Sequence, residues 1–250
     1  MTATAPGWIE PDWPLAGHVR VLSTLRGGGV SEGPYASLNL AAHVGDRPET
    51  VAANRLLLRE AARLPAEPLW LEQVHGSEVA RHGGAPGRPP RADAAVARGP
   101  GRVCAVMTAD CLPVVFADRA GTRVAVAHAG WRGLVGGVLQ ATIAALEASP
   151  AELYAWLGPA IGPAAFEVGP EVRDAYLARL AVPDTDACFR PNERGRYLAD
   201  LHALARLVLR QAGVTAIHGG EWCTYQDAQR FFSFRRDGVT GRMATLAWLA

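Results

Sequence analysis

The chain has 250 residues, of which 49% are hydrophobic and 20% charged, a composition that excludes a disordered or fibrous protein. Its 25 basic and 24 acidic residues nearly balance, and the basic residues are spread along the chain. No surface for nucleic acid or an anionic membrane is therefore indicated, and a small-molecule partner is favoured.

No targeting or membrane-spanning segment is predicted. Residues 1–14 have neither a cationic start nor a continuous apolar stretch, and no apolar run approaches the length of a bilayer-spanning helix. The four cysteines have no regular spacing, and a chain of this size does not need disulfides for stability. We therefore expect a cytoplasmic protein.

The N-terminal part of the chain predicts a strand, a polar loop and a helix. Residues 1–18 are expected to be loosely ordered, and residues 19–24 form the strand. A glycine turn and the polar loop that contains Asn39 follow. The helix begins at Pro48, and its apolar residues recur with a helical period, which places Arg55 on this helix.

The middle of the chain predicts buried strands. Prolines 65 and 68 end the helix, and residues 69–71 are expected to begin a strand that leads to His75. Residues 83–90 are rich in glycine and proline and are expected to form a flexible surface loop. Three further apolar runs have the length and composition of buried strands, at residues 103–107, 112–116 and 124–127.

The remaining elements are mainly helical. A helix is expected over residues 134–147, and the backbone N–H groups at its start, helped by Arg132, can hold an anion. Helices are also predicted at residues 170–180 and 200–211, the second with Asp200 as its N-cap, and a strand at residues 243–249. No boundary or repeat is visible, so residues 1–250 are predicted to form a single domain.

Two histidines and a cysteine stand where apolar runs give way to small or polar residues: His75, Cys111 and His128. Two imidazoles and a thiolate suit zinc, and three protein ligands rather than four leave one position open, as in catalytic sites. Pairing of the strand before Asp110 with the run at residues 124–127 would bring Cys111 and His128 together. Asp110 could orient a ligand, move a proton or cap the turn. The alternative is that the histidines and the cysteine are ordinary buried residues.

Several arginines are candidates for binding an anionic substrate through their planar guanidinium groups: Arg55, Arg132 and the pair Arg235 and Arg236. The alternative is that they are surface arginines paired with nearby acids, which we favour for Arg236. The neighbouring aromatic run is expected in the core rather than at a substrate, at Phe231, Phe232 and Phe234.

A set of short motifs together resembles the YfiH-like family, from about Leu38 to the end of the chain. In chain order the motifs are Leu38-Asn39-Leu40, Val44-Gly45-Asp46, Asn54-Arg55, Gln73-Val74-His75-Gly76, Thr108-Ala109-Asp110-Cys111-Leu112-Pro113, Ala127-His128-Ala129-Gly130-Trp131-Arg132-Gly133, Gly158-Pro159-Ala160-Ile161-Gly162 and Phe232-Ser233-Phe234-Arg235-Arg236-Asp237-Gly238. The resemblance implies an α+β fold, a single-domain four-layer α/β/β/α sandwich with mixed sheets. Members were first labelled laccase-like polyphenol oxidases and are now regarded as zinc-dependent purine nucleoside phosphorylases with adenosine deaminase activity. Some carry the name peptidoglycan editing factor.

The resemblance also implies a reaction and roles for individual residues. Adenosine, inosine or methylthioadenosine would react with phosphate to give the free base and a ribose 1-phosphate. The metal ligands would be His75, Cys111 and His128, with Arg55 on the phosphate. Substrate contacts are expected from Asn39 and Arg132, and catalytic roles from Arg55, Asp110 and Cys111. Gln226 stands where many relatives have a second cysteine after Cys223, so that cysteine is not expected to be required for chemistry.

Three alternatives remain open at this point. A multicopper laccase needs paired His-x-His motifs, and none of the seven histidines belongs to such a pair. Copper in the zinc position could still give weak polyphenol oxidase activity. A hydrolase that edits peptidoglycan precursors would use Cys111 as nucleophile and His128 as base. In the third alternative the metal is structural and the protein is a binding partner.

Overall fold

The structure is a computed structural model that describes residues 5–15, 17–83, 88–180 and 182–250. Its strands are β1 (Trp8–Ile9), β2 (Val19–Thr24), β3 (Val79–Arg81), β4 (Ala94–Arg98), β5 (Val103–Thr108), β6 (Leu112–Asp118), β7 (Arg123–Ala129), β8 (Leu153–Leu157), β9 (Glu167–Val168), β10 (Phe189–Pro191), β11 (Tyr197–Ala199), β12 (Ala216–Gly219) and β13 (Met243–Leu249). Its α-helices are α1 (Pro48–Ala61), α2 (Trp131–Gly136), α3 (Val138–Leu146), α4 (Pro170–Leu180), α5 (Leu201–Gln211) and α6 (Phe234–Asp237). Short 3₁₀ helices lie at Gly33–Tyr35, Pro150–Glu152 and Pro183–Cys188.

Most of the strands belong to two larger sheets. One has four antiparallel strands in the order β1-β2-β13-β5. The other is mixed and has six strands in the order β12-β8-β6-β7-β4-β3, with parallel pairing at its two edges and antiparallel pairing inside. A small antiparallel sheet has the order β10-β11-β9.

Buried apolar clusters arrange these elements in layers. Between the two large sheets, side chains of β2, β5 and β13 pack against those of β4, β6 and β7, with Val106, Val126 and Ala247 fully buried. Helix α1 covers the outer face of the four-stranded sheet, where Leu58 and Leu246 belong to one cluster. Helices α2 to α5 cover the outer face of the six-stranded sheet. The predicted α/β/β/α sandwich is confirmed.

Several elements form where local chemistry predicts them. Strands β2 and β13 and helix α4 have the predicted bounds, and the three predicted buried strands occur as β5, β6 and β7. Pro48 occupies the first position of α1, where an N–H would have no partner in the helix. Asp200 caps α5, because its Oδ1 accepts a hydrogen bond of 2.9 Å from Ala203 N.

Two predicted elements are wrong. Residues 69–71 form no strand, since Leu69 makes only a single bridge, to Cys104, and the preceding Pro68 has no N–H to extend a ladder. The helix predicted over residues 134–147 is two helices. Gly137 has a φ of 98° and ends α2 in the left-handed conformation, which glycine adopts without strain.

Some expectations fall partly outside the described residues. Residues 1–4 and 16 belong to the segment expected to be loosely ordered, and residues 84–87 to the expected flexible loop. Within the described part of the first segment, Trp8–Ile9 forms β1 and pairs with β2. The extent of a single domain over residues 1–250 stays a prediction. Among the described residues, no helix has both the length and the apolar character needed to cross a bilayer.

Candidate metal centre

His75, Cys111 and His128 meet beside the start of β6 and the end of β7, with ligand atoms that all lie within 4.8 Å of one another. Cys111 Sγ is 3.8 Å from His75 Nε2. The imidazole rings of His75 and His128 have centroids 4.7 Å apart and an interplanar angle of 70°. His128 is buried, Cys111 is half-buried and His75 is exposed, so the cluster opens to solvent on the side of His75.

A crossing of the chain between the two large sheets positions Cys111. Strand β5 ends at Thr108 in the four-stranded sheet, and β6 begins at Leu112 in the six-stranded sheet. The predicted pairing of the strand before Asp110 with residues 124–127 is wrong, because β5 pairs with β13, whereas β6, which follows Cys111, pairs with β7. Leu112 lies opposite Ala129 in this register, which brings Cys111 close to the end of β7.

Asp110 fixes the crossing itself. It has a φ of 91°, a sparsely populated conformation for a residue with a side chain. Its carboxylate accepts hydrogen bonds from Thr224 Oγ1 at 2.7 Å and from Arg235 N at 2.6 Å. These bonds tie the residue before Cys111 to two segments from the C-terminal part of the chain, so the observed contacts of Asp110 are structural.

Asp93 holds two of the three candidate ligands. It is fully buried, and its carboxylate accepts hydrogen bonds from the backbone N–H groups of Val74, His75 and Gly76 at 3.1, 2.9 and 2.7 Å. Its Oδ1 also lies 2.8 Å from His128 Nδ1. Because Nδ1 donates to Asp93, Nε2 of His128 is the nitrogen left for a metal. Asp93 is not part of any motif that indicated the site in the sequence.

Gln73 fixes the same turn to the other sheet. Its side-chain amide donates to Met107 O and accepts from Met107 N, both at 2.8 Å, and Met107 belongs to β5. The turn that presents His75 is therefore held by Asp93 beside the six-stranded sheet and by β5 of the four-stranded one. His75 itself has a φ of 59°, so its position depends on this bracing.

The cluster is electrostatically coupled. Burial alone would raise the pKa of the Cys111 thiol, but the adjacent His128 outweighs it and lowers that pKa below its ordinary value. Burial alone would lower the pKa of His128, but Cys111 and Asp93 raise it. Burial would likewise raise the pKa of Asp93, which hydrogen bonds from His128 and the backbone lower instead. A deprotonated thiolate is the form that binds metals.

Gly130 leaves room for the cluster. A Cβ at this position would lie 2.8 Å from Cys111 Sγ and 3.1 Å from His75 Cδ2, closer than side-chain carbons approach. The backbone at Gly130 has a φ of −59°, which other residues also adopt. Glycine is therefore needed here for space rather than for conformation.

The donor set fits a transition-metal ion. Bonds of about 2.0–2.1 Å to nitrogen and about 2.3 Å to sulfur put neighbouring ligand atoms of a tetrahedral site with one sulfur roughly 3.3–3.6 Å apart. The 3.8 Å between Cys111 Sγ and His75 Nε2 is slightly longer than this spacing, so a small movement of the side chains would allow both to bind one ion. Zinc and copper both accept imidazole and thiolate ligands, so the donor set indicates a metal without choosing between them.

The candidate ligands lie on the wall of a cavity of about 420 Å³, within the range of small-molecule sites. Mainly polar and aromatic residues line it: His43, Gln73, His75, Met107, Thr108, Ala109, Asp110, Cys111, His128, Trp131, Arg132, Phe166, Phe234, Arg235 and Arg242. Of the predicted site residues, Asp110 and Arg132 therefore line the cavity together with the three candidate metal ligands. Arg55 and Asn39 do not line this cavity.

Arg55 lines a separate cavity of about 320 Å³ beside α1. Its Nε donates to Leu40 O at 3.0 Å, and its guanidinium carbon lies 4.0 Å from the centre of the Trp70 ring. Burial and the positive charges of Arg242 and Arg55 lower the pKa of His43, which lines the cavity that contains the candidate metal ligands.

Asn39 is fully buried and its amide is bonded within the protein. Its Nδ2 donates to Ala41 O and Asp46 Oδ2, and its Oδ1 accepts from Ala41 N and Arg242 N. Direct contact with a substrate is not supported by this arrangement. Asn39 instead positions the backbone of Arg242, which lines the cavity.

The C-terminal aromatic and basic motif is divided between core and cavity. Phe231 and Phe232 are fully buried, as expected, whereas Phe234 is 58% exposed and lines the cavity, so its assignment to the core is wrong. Arg236 pairs with Asp237 and also donates to three backbone carbonyls, which makes it structural. Cys223 Sγ accepts a hydrogen bond from Gly162 N and lies outside the lining of the cavity.

Known proteins match this chain over most of its length. The family described as multi-copper polyphenol oxidoreductase laccase matches residues 20–250. Purine nucleoside phosphorylase YfiH of Escherichia coli is 53% identical over 242 residues, which cover 96% of this chain and 98% of that protein. The chain belongs to the YfiH-like family. A purine nucleoside phosphorylase of Pseudomonas aeruginosa is 54% identical over 243 residues, 97% of this chain and 98% of the relative.

Solved structures of similar proteins have the same fold as this YfiH-like chain. A Neisseria meningitidis protein has a TM-score of 0.91 and 51% identity, with 97% of this chain and 98% of that one covered. YlmD from Geobacillus stearothermophilus has a TM-score of 0.88 and 32% identity, with 98% and 97% covered. The predicted family is confirmed. Its description mentions several coppers, whereas the described residues contain one candidate cluster of two histidines and a cysteine.

Proposed function

We propose that this protein is a zinc-dependent purine nucleoside phosphorylase acting on adenosine, inosine or methylthioadenosine. The proposal rests on the open His-Cys-His cluster in the wall of a cavity of about 420 Å³. Three protein ligands, rather than four, are typical of catalytic metal sites. The chain is also 53–54% identical to two proteins named purine nucleoside phosphorylase. The predicted cytoplasmic location fits enzymes of nucleoside metabolism.

The reaction exchanges one bond at C1′ of the ribose. An oxygen of hydrogen phosphate forms a bond to C1′ while the bond from C1′ to the base nitrogen breaks, and the electron pair of that bond leaves with the base. The proton that hydrogen phosphate loses balances the proton that the departing base gains. The cavity residues must therefore bind the phosphate, hold the nucleoside in line with it and transfer one proton.

The chain's own residues supply these functions. His75, Cys111 and His128 would hold the zinc, which supplies a Lewis acid that polarises the substrate. Arg132 is exposed on the cavity wall and binds an anionic or polar substrate group through its guanidinium. Each carboxylate oxygen of Asp110 keeps a further lone pair that can accept a proton. The resemblance assigns the phosphate to Arg55, which lines the neighbouring cavity.

Product analysis tests the reaction. Zinc-loaded protein is incubated with inosine or adenosine, with and without phosphate, and the products are separated by chromatography. We expect free base and ribose 1-phosphate only when phosphate is present. Release of base at the same rate without phosphate indicates a nucleoside hydrolase, and the proposal then fails.

Metal analysis tests the ligand set. The purified protein is expected to contain about one zinc per chain, and Cys111→Ala is expected to lose most of it. Cys223→Ala is the matched control, because Cys223 is also half-buried but lies outside the cavity lining. Full zinc retention in Cys111→Ala overturns the assignment, and copper rather than zinc in the purified protein favours the oxidase alternative.

Adenosine deamination at the same site is the second part of the proposal. Deamination consumes water at C6 of the base, and a metal with three protein ligands leaves one position open towards the cavity. Conversion of adenosine to inosine is expected without phosphate and is measured by chromatography. Loss of the metal should abolish this activity together with phosphorolysis. Undiminished deamination by metal-free protein contradicts this part.

One observation favours the peptidoglycan-editing hydrolase as a second candidate. Asp93, His128 and Cys111 form a carboxylate-imidazole-thiol series, which is also the arrangement of a cysteine hydrolase. Such an enzyme needs a free thiolate, so adding zinc should inhibit it. Turnover of a peptidoglycan precursor by metal-free protein, with no release of purine base by zinc-loaded protein, would support this candidate over the phosphorylase.

A further inference from the structure

We propose that Arg242, rather than Arg55, binds the phosphate co-substrate in the metal cavity. The inference rests on the proposed phosphorylase function and names the residue that would bind its anion. Arg242 lines the same cavity as the three metal ligands, immediately before β13. Arg55 lines the other cavity.

The backbone of Arg242 is fixed by buried neighbours. Its N–H donates to Oδ1 of the fully buried Asn39 at 3.0 Å. At the preceding position, a Cβ on Gly241 would lie 2.8 Å from the Phe232 ring and 2.9 Å from Asn39 Cβ. This close packing holds the backbone against the core, so the Cα atom of Arg242 has a fixed position in the cavity wall.

The guanidinium of Arg242 is anchored on one side and available on the other. Nη1 donates to Thr240 O at 2.8 Å and to Gly241 O at 3.0 Å. Among the described residues, Nε and Nη2 make no hydrogen bond. An arginine oriented by one nitrogen keeps the planar edge that binds two oxygens of a phosphate. The Phe234 ring, 5.6 Å from the guanidinium carbon, flanks it.

The positive charge of Arg242 has no carboxylate partner within 4.0 Å in the part of the chain that the structure describes. The carboxylate of Asp110 lies within electrostatic range but forms no ion pair with Arg242, and its two oxygens accept hydrogen bonds from Thr224 and Arg235. A half-buried cation that makes no close ion pair is costly to desolvate, and a bound anion reduces that cost. The cavity therefore favours an anion at this point.

The other arginines near the cavity are less suitable for this role. Arg132 and Arg235 are exposed, and Nη1 of Arg235 donates to Glu167 O at 2.9 Å. Arg55 is also anchored by one nitrogen, since its Nε donates to Leu40 O, but it lines the other cavity and not the one that contains the candidate metal ligands.

The test compares charge-neutral and charge-conserving variants. Arg242→Gln removes the cation, Arg242→Lys keeps the charge without the two-pronged geometry, and Arg55→Gln tests the competing assignment. Arg190→Gln is the matched control, because it removes an exposed arginine from β10, outside both cavities. Circular dichroism and thermal unfolding establish that each variant is folded.

The first readout is binding of inorganic phosphate to zinc-loaded protein by isothermal titration calorimetry. We expect Arg242→Gln to weaken it at least about tenfold, Arg242→Lys less, and Arg55→Gln and Arg190→Gln about twofold or less. The second readout is kinetic. In Arg242→Gln the KM for phosphate should rise at least about tenfold, with the KM for inosine changed little.

Unchanged phosphate affinity in Arg242→Gln overturns the inference, and loss of phosphate binding in Arg55→Gln at the same time would return the role to Arg55. If Arg242→Gln does not fold, the same comparison between Arg242→Lys and Arg55→Gln decides. Failure of the proposed function gives a different result, because wild-type protein then releases no base, or releases it at the same rate without phosphate, whatever its calorimetric affinity for phosphate.

Discussion

At the scale of single residues, the carboxylate of Asp93 shows that the candidate metal site depends on a residue that is not itself a candidate ligand. It accepts hydrogen bonds from the His75 turn and from His128, so one side chain orients two candidate metal ligands. Nothing in the sequence separates Asp93 from a surface aspartate, because its partners lie about 20 residues before it and 35 residues after it. Only the folded chain brings these groups together.

Asp93→Asn should weaken both the metal site and the fold. The amide presents N–H groups to backbone donors, so we expect the free energy of unfolding to fall by more than about 2 kcal/mol. Metal affinity should fall about 10- to 100-fold, as for other residues that orient ligating histidines. Chemical denaturation and competition with a chelator measure the two effects.

Asp118→Asn is the control for this prediction. Asp118 is also a buried carboxylate, and it accepts hydrogen bonds from Thr122 N and Arg123 N at the far end of β6. Its substitution should lower stability and leave metal affinity unchanged. Equal loss of metal affinity in both variants would show that Asp93 acts only through stability.

Gly130→Ala tests the space beside the ligands. The new methyl group would lie 2.8 Å from Cys111 Sγ, so the thiolate must move away from the two imidazoles. We expect at least about tenfold weaker metal binding, a loss of the size seen when ligand orientation is disturbed. The unfolding free energy of the metal-free protein should change much less. Metal affinity equal to that of wild type would contradict the geometry.

The residue types of the metal site were recognisable in the sequence, and their supports were not. His75, Cys111 and His128 each lie beside an apolar run, which is a local property of the chain. His43, Phe234 and Arg242 line the cavity only because long-range packing brings them there. Arg242 lies in a short polar segment just before a strand, which is a common sequence pattern.

At the scale of elements, the break between α2 and α3 has a consequence for stability. Gly137 has a φ of 98°, whereas Gly136 is the last residue of α2 and has nothing within 4 Å of its Cβ position. Gly137→Ala should lower the free energy of unfolding by about 1–2 kcal/mol, because a Cβ strains the left-handed conformation.

The adjacent substitution is the control. Gly136→Ala should raise the free energy of unfolding by up to about 1 kcal/mol, because alanine favours the helix and meets no neighbour. Thermal unfolding of the two variants should therefore shift in opposite directions. A stabilised Gly137→Ala would show that a continuous helix over residues 134–147 is accessible to the chain.

Prediction of the elements succeeded where the evidence is local. Asp200 as an N-cap, Pro48 at a helix start and the apolar run of β13 are properties of a few adjacent residues. Strand β4 was missed because its alanine-rich sequence has little strand preference, and it forms through pairing with β7. The break at Gly137 was missed because tertiary packing decides whether a glycine interrupts a helix.

At the scale of the whole molecule, the layer order came from family resemblance rather than from the pattern of strands. Buried strands such as β5 and β6 are apolar on both faces, so periodicity does not assign them to different sheets. The chain crosses from one sheet to the other at Asp110. The residues that donate hydrogen bonds to Asp110, Thr224 and Arg235, are distant from it in sequence.

Removal of the metal should lower the stability of the whole protein. A ligand that binds only the native state, at about 100 times its dissociation constant, adds about 2.7 kcal/mol. For a chain of this size, that corresponds to an increase in melting temperature of roughly 5–10 °C on addition of zinc to metal-free protein. Calorimetric scans measure this shift, which Cys111→Ala should remove and Cys223→Ala should retain.

The position of β13 means that the four-stranded sheet cannot form fully until the end of the chain has been synthesised. This strand follows every other strand in the chain, yet it lies between β2 and β5 in the four-stranded sheet. At about 5–20 residues per second, β2 leaves the ribosome roughly 10–40 s before the strand that pairs with it. During that interval, one edge of β2 is open to pairing with other chains. Arg242 directly precedes β13 in the chain. The cavity of a nascent chain is therefore incomplete until β13 has been synthesised and has paired with β2 and β5.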